Sequence, residues 1–173
     1  MNQPTQLISL DDISRLARPC YADERLAAVC VLEAQNLDLR PQLGDALFLA
    51  IFSEGATSPR IKAILEPQTY DCACGGGMHF GLLKALAYYA YARIVKTGTN
   101  QQTRYGFVAK NDEYSDNVSL KERVGAYDDA FATADAYLAD VIKYINANSA
   151  IYPEYKNGGR LRNNRARFNM IGQ

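Results

Sequence analysis

The chain lacks the residues on which most enzyme chemistry is assembled. His79 is its only histidine. It falls at the expected start of a helix, where a lone imidazole serves more often as a structural or helix-end group than as a general base. No catalytic set gathers around it. Net charge is missing as well. The 19 Lys and Arg balance 19 Asp and Glu, which removes any overall pull toward nucleic acid or a membrane surface. No apolar run is long enough to span a bilayer, since the nearest, 80–95, contains Lys84 and Arg93. The opening MNQPTQLISLDD has neither the basic nor the apolar region of a secretory signal. A cytosolic site of synthesis is therefore expected, with Cys20, Cys30, Cys72 and Cys74 as free thiols or ligands rather than disulfides.

What is present is helix. Residues 80–95 are apolar on nearly every side, which predicts a helix over 79–97, buried on several faces and closed by Gly98. Leu120, Val124, Tyr127, Phe131, Ala134, Leu138, Val141 and Ile145 recur at alternating spacings of four and three. This heptad-type seam predicts a long helix over 118–146, capped by Asp116 or Ser119 and packed antiparallel along 79–97. Asp128, Asp129, Asp135, Asp140 and Lys143 take its other face, read as solvated. Upstream, a loose lead-in over 1–9 precedes a short helix capped by Asp11 or Asp12 and stopped at Pro19. A second helix starts after Tyr21, with Leu26, Val29, Cys30, Leu32 and Leu37 as its apolar positions, and ends near Leu39 ahead of Pro41. A third, over 45–54, has Asp45 as its cap and Gly55 after its last turn. One or two helical turns follow over 59–65.

Three segments resist helix. Residues 66–78, EPQTYDCACGGGM, read as a loop. Residues 99–117 separate the two long helices by about twenty residues, longer than compact domains usually carry without a functional reason. Tyr105, Phe107 and Val108 there have strand character, too isolated for a sheet of their own; they are expected to pair with 66–72 or with another subunit. Tyr105 and Tyr114 suit an interface, where aromatic residues are enriched. The C-terminal 150–173 carries Lys156, Arg160, Arg162, Arg165 and Arg167 against Glu154, a net +4 from five minus one, and leaves the body near −4. Phe168, Met170 and Ile171 give this basic tail an apolar tip. Such a tail suits an acidic partner, either nucleic acid phosphates or a protein surface that accepts arginine and aromatic anchors.

Two other constellations have plain explanations. Cys72 and Cys74 beside His79, completed by Cys20 or Cys30, resemble zinc ligands, but a single intervening residue is not the usual spacing, and a cysteine on an apolar helix face is a small hydrophobe. Gly75-Gly76-Gly77 precedes a helix start, yet no Lys-Ser or Lys-Thr follows to complete a phosphate loop. No metal, cofactor or catalytic residue is expected. The residues leave open an assembly protein, a small helical nucleic-acid-binding protein using the tail arginines, and a thiol- or zinc-dependent enzyme.

The order of LRPQLGDALFLAIF, GLLKALAYYAYARIV, YGFVAKNDEYSDN and a long helix ending NSAIYPEY resembles the head-to-tail connector (adaptor) proteins of tailed bacteriophages. The likeness is to the group from Bacteroidetes-type hosts, including the crAss-like phages. It covers roughly residues 10–155; CACGGG departs from the pattern and nothing beyond 156 matches it. The resemblance implies an all-α fold: a small helical bundle with long antiparallel helices, an extended intersubunit arm and an irregular C-terminal tail. Residues 1–149 would be the adaptor domain, with 99–117 as its arm, and 150–173 the basic tail. It implies a virion structural protein of the neck, made in the host cytoplasm and not an enzyme. Copies would form a ring, usually a dodecamer, between the portal protein and a downstream tail or neck protein. Double-stranded DNA would pass through its channel, past the aspartates of the last helix or with those facing solvent; no membrane is involved. Tyr105, Phe107, Val108 and Tyr114 would serve the intersubunit arm. Arg160, Arg162, Arg165, Arg167, Phe168, Met170 and Ile171 would dock the tail on the portal. Another neck or head-completion role is the alternative.

Overall fold

A computed structural model describes residues 5–72, 75–97, 100–103, 106–109 and 119–155. Helices dominate, with two small antiparallel hairpins between them. In chain order they are α1 Leu10–Leu16, α2 Glu24–Glu33, α3 Arg40–Leu43, α4 Asp45–Glu54, α5 Pro59–Leu65, β1 Gln68–Cys72, β2 Gly75–His79, α6 Leu82–Thr97, β3 Asn100–Thr103, β4 Gly106–Ala109 and α7 Leu120–Ala147.

Helices α6 and α7 lie side by side and run in opposite directions. Phe80 and Tyr88 meet Tyr137, Tyr89 meets Phe131, and the Lys96 ammonium sits 5.1 Å from the centre of the Tyr127 ring. Rising numbers on one element match falling numbers on the other. On α6, Leu82, Ala85, Leu86, Ala87, Tyr89, Ala90, Ala92 and Ile94 are buried, as an all-round apolar helix requires. On α7 the seam holds only in part. Ala134, Leu138, Val141 and Ile145 are fully buried, whereas Val124 is 50% exposed. The cause is length: α6 stops level with Tyr127, and the first turns of α7 extend past its end. Ser119 caps α7 with a reciprocal pair of hydrogen bonds to Glu122.

The N-terminal third departs from expectation in its details. Ser9, not an aspartate, caps α1, and Asp12 closes the capping box from the third position. The lead-in is held from Thr5 onward. The buried Gln35 amide accepts from the Leu7 N–H at 2.8 Å and donates to the Thr5 carbonyl at 3.2 Å. Helix α2 does not end at Leu39. It passes into a π-helical segment, Ala34–Leu39, and then into α3, so the chain stays helical through Pro41. A wider turn ahead of the proline relieves the clash its ring would make with a carbonyl four residues back. The buried stripe is Ala27, Cys30, Val31, Ala34, Leu39 and Leu43, while Val29 and Leu37 are 52% and 61% exposed. At α4 the cap is Gly44, with φ of 79°; Asp45 is the first helical residue, and its carboxylate accepts from Arg40 Nε at 2.6 Å.

The largest correction falls on residues 66–78, which form a hairpin rather than a loop. Thr69 pairs with Met78, Tyr70 with Gly77 and Asp71 with Gly76. The glycines serve this hairpin. A Cβ on Gly77 would lie 2.6 Å from the Tyr70 ring, which covers that site. His79 accordingly ends a strand and does not begin α6, and Phe80 is 42% exposed rather than buried.

Candidate functional site

Between α6 and α7, β3 and β4 pair antiparallel. Asn100 pairs with Ala109, Gln101 with Val108, Gln102 with Phe107 and Thr103 with Gly106. Phe107 and Val108 thus lie in β4, paired with β3 of the same chain rather than with 66–72, whose strand β1 pairs with β2 in a separate two-stranded sheet. Tyr105 and Tyr114 lie outside the described residues. Among the described residues this hairpin has no more than marginal contact with any other element. A two-stranded hairpin on its own is marginally stable in water, so one with so little packing is poised to find a surface elsewhere.

The β1–β2 hairpin has two distinct faces, because directly opposed residues point to the same side. Tyr70, Gly77 and His79 face inward. Tyr70 packs edge-on against Tyr144 of α7 at 5.1 Å between ring centres, and His79 lies 4.6 Å from the same ring. Thr69, Asp71, Gly76 and Met78 face outward and are exposed. A hollow of about 420 Å³ runs over this hairpin, lined by Thr69, Tyr70, Asp71, Gly76, Gly77 and Met78.

His79 is fully buried. Its Nδ1 accepts from the Gly81 N–H at 3.1 Å, which leaves the proton of the neutral ring on Nε2, where no partner stands among the described residues. Burial lowers its pKa from the ordinary 6.5, against a weaker opposing pull from Asp140. The unfolded chain therefore takes up a proton at a pH where the folded one resists it. Stability is full above about pH 6.5 and declines as pH falls toward the depressed folded value. Urea melts at pH 7.5 and 5.5 should show this loss, and His79→Leu should remove that component of the dependence. An unchanged pH dependence in the variant would contradict it.

The chain is anchored to the body as far as residue 155. The Arg60 guanidinium holds Glu54 of α4 and Glu154 together. Nε donates to Glu54 at 2.8 Å, and both terminal nitrogens donate to Glu154, at 3.0 and 2.9 Å. Arg60 also donates to the Ile151 carbonyl at 3.2 Å. The guanidinium, with help from Ser58, draws the Glu54 pKa down to about 2. Tyr152 is buried, donates to the Arg60 carbonyl at 2.8 Å and meets the Tyr144 hydroxyl at 3.2 Å. The tail-docking residues Arg160, Arg162, Arg165, Arg167, Phe168, Met170 and Ile171 lie outside the described residues. The described structure instead shows the root from which that tail leaves, and α5 is the element whose importance sequence patterning does not reveal.

The aspartates of α7 do not form one solvated face. Asp128 and Asp129 are exposed, with Asp129 accepting from Arg18 at 2.7 Å, and Asp140 pairs with Lys143. Asp135 turns toward α6 and accepts the Tyr89 hydroxyl at 2.5 Å. Cys20 and Cys30 are free thiols whose pKa values burial raises. Among the described residues no cluster of His, Cys, Asp and Glu could hold a metal ion. Cys74 and the Cys72 side chain fall outside them.

No helix of the described structure is long and apolar enough to cross a membrane. No curated protein and no solved structure matches the chain. A family model described as a family of unknown function (DUF6712) matches residues 39–165, from the end of the π segment through α7 and into the tail. The match spans well over half of the 173 residues, and the chain belongs to this DUF6712 family.

Proposed function

We propose that this protein is a structural subunit of a phage neck, a head-to-tail adaptor that assembles as a ring between portal and tail. The ring, of about a dozen copies on the family likeness, would extend the DNA channel and offer a platform for the next tail or neck protein. One observation carries the reading: a hairpin inserted between the two longest helices makes no more than marginal contact with the rest of the described residues. A segment that gains so little from its own chain fits an arm that bridges to a neighbour. In this reading the helices form a small bundle around the antiparallel α6–α7 pair, 99–117 is the bridging arm, and 156–173 is the portal hook. The anchored root at Arg60 supports the hook, since a docking segment works best from a fixed origin.

The test is direct. The full chain and a variant with 98–118 replaced by a short Gly-Ser linker are imaged by electron microscopy, alone and mixed with the portal ring. Rings are expected from the full chain, and a folded protein without rings from the variant. A full chain that forms no ring in either setting sinks the adaptor reading. The basic tail favours a second reading, DNA binding. If deleting 156–173 abolishes DNA affinity while portal assembly persists, the hook is wrong and that second reading stands.

A further inference from the structure

We propose that the first turns of α7 dock in the groove between the starts of α1 and α2 on a second copy of the chain. This rests on the ring reading and names a contact that would build the ring. A ring made by rotation needs two different surfaces on each subunit, a donor and an acceptor that meet head to tail. The donor is the overhang of α7. Its residues from Leu120 to Ala126 run past the end of α6, a length of roughly 10 Å at helical rise. Val124 belongs to the apolar seam but is 50% exposed, since α6 stops short of it. Lys121, three residues earlier and so on the same side, is exposed. No carboxylate pairs with it among the described residues. Glu122 is turned back to cap the helix. Gly125 shares the side of Lys121 and Val124. A Cβ there would meet nothing within 4 Å, and its φ is not positive. Glycine weakens a helix interior, and it is suited to places where another backbone comes close. The next carboxylate on that side, Asp128, comes where α6 already lies alongside.

The acceptor is a groove of about 380 Å³. Its apolar lining is Leu10 of α1 with Ala28 and Val31 of α2; Val31 is buried and the other two are partly so. Asp11 and Glu24 also line it, and both are exposed. No cation pairs with either among the described residues. The acids next to them are already engaged. Asp12 closes the cap of α1 and holds Arg15, and Asp23 caps α2. Arg25 follows Glu24 in sequence but does not line the groove. Apolar surface beside two unpaired carboxylates fits a lysine, whose methylene stem covers the one while its ammonium meets the others. Lys121 supplies that side chain, and Val124 adds apolar contact next to it. The opposite charges of donor and acceptor draw the two copies together and set their register.

The experiment measures self-association of the full chain by sedimentation over a wide concentration range, alone and with the portal ring. Lys121→Glu and Glu24→Lys should each weaken association by about tenfold or more. Mixing the two variants should restore it, because the intact donor of one then meets the intact acceptor of the other. Gly125→Leu should weaken association similarly, with a melting temperature no lower than that of the wild type. Charge variants that associate like the wild type, or a mixture that stays apart, overturn this contact and leave the ring reading standing. A wild-type chain that is monomeric at every concentration, with or without the portal, overturns both. Should a variant misfold, zero-length carbodiimide coupling of mixed isotope-labelled and unlabelled wild-type chains decides. Lys121 must couple to Asp11 or Glu24 of a differently labelled chain, and the absence of that product from coupled oligomers overturns the proposal.

Discussion

Replacing Arg93 by methionine is expected to lower the unfolding free energy by about 3–5 kcal/mol at neutral pH. Arg93 projects from α6 toward the π segment, where Nε and Nη2 donate to the two Asp38 oxygens at 2.9 and 3.0 Å. Glu33 accepts from Nη1 at 3.0 Å. The Asp38 side chain is 9% exposed and that of Arg93 19%. Burial dominates at Asp38 and raises its pKa even with the guanidinium in place. Its ionised form is thus tolerated in the fold only because Arg93 is there. Without that cation a buried carboxylate stands unpaired. The sign follows from linkage: a folded-state pKa above the unfolded one means the penalty is present at neutral pH and shrinks as pH falls through the folded value. Urea melts should show the Arg93→Met deficit largest at pH 7 and smaller near pH 4. Adding Asp38→Leu should recover most of the loss, because removing both charges costs far less than orphaning one. A deficit below about 1 kcal/mol at pH 7 would show that water reaches Asp38 freely.

Gly81→Val should be comparably severe, about 3–5 kcal/mol or outright loss of folding. Gly81 joins β2 to α6 with φ of 86°, a conformation that costs a side-chain-bearing residue energy. Space is the harder limit. A Cβ would lie 2.3 Å from the Leu65 carbonyl oxygen and 2.8 Å from the Glu66 carbonyl carbon, both backbone atoms at the end of α5. Relief requires α5 to move, and α5 carries buried Ile61, Ile64 and Leu65 as well as the Arg60 anchor. Gly125 is the natural control. It lies exposed in α7, and a methyl added there would meet nothing within 4 Å, so Gly125→Ala should stabilise by roughly 0.5–1 kcal/mol. Thermal melts of the two variants moving in opposite directions would separate positional strain from a general intolerance of glycine replacement.

The sequence patterns that survive in the structure are those with one dominant cause. The apolar run 80–95 and the seam Leu138-Val141-Ile145 mark buried surface on long helices, and burial decides such elements. Helix 45–54 and the short piece 59–65 lie where their flanking Gly and Pro residues place them. Failures come where two signals compete. Three glycines and a proline outweigh the alternation around Tyr70 and hide the β1–β2 hairpin, because what holds Gly77 in a strand is the Tyr70 ring and not any local preference. Phe107 and Val108 show strand character in the sequence, but their partners, Asn100–Thr103, are polar and carry no β signature. Arg60 cannot be singled out at all. Glu54 is near it in sequence, but Glu154 lies ninety-four residues away, and no pattern encodes that distance.

The π segment has a consequence for the helix on either side of it. The buried apolar positions Ala27, Cys30, Val31 and Ala34 advance by three and four, then skip five to Leu39 before resuming at Leu43, with the buried polar Gln35 between them. Five residues make about 1.4 turns of an α-helix, which would swing Leu39 and Leu43 away from the side that Ala34 faces. Bonding from the Arg40 N–H to the Gln35 carbonyl, five residues back, absorbs the surplus. The segment thus acts as a phase corrector: one extra residue is taken up where the helix can widen, and both halves keep a common inward direction. A single-residue deletion between Ala34 and Leu39 would leave a regular helix and the same core stripe. It would be felt at the polar side chains of that turn, Gln35 and Asp38, which hold the lead-in and Arg93 in place.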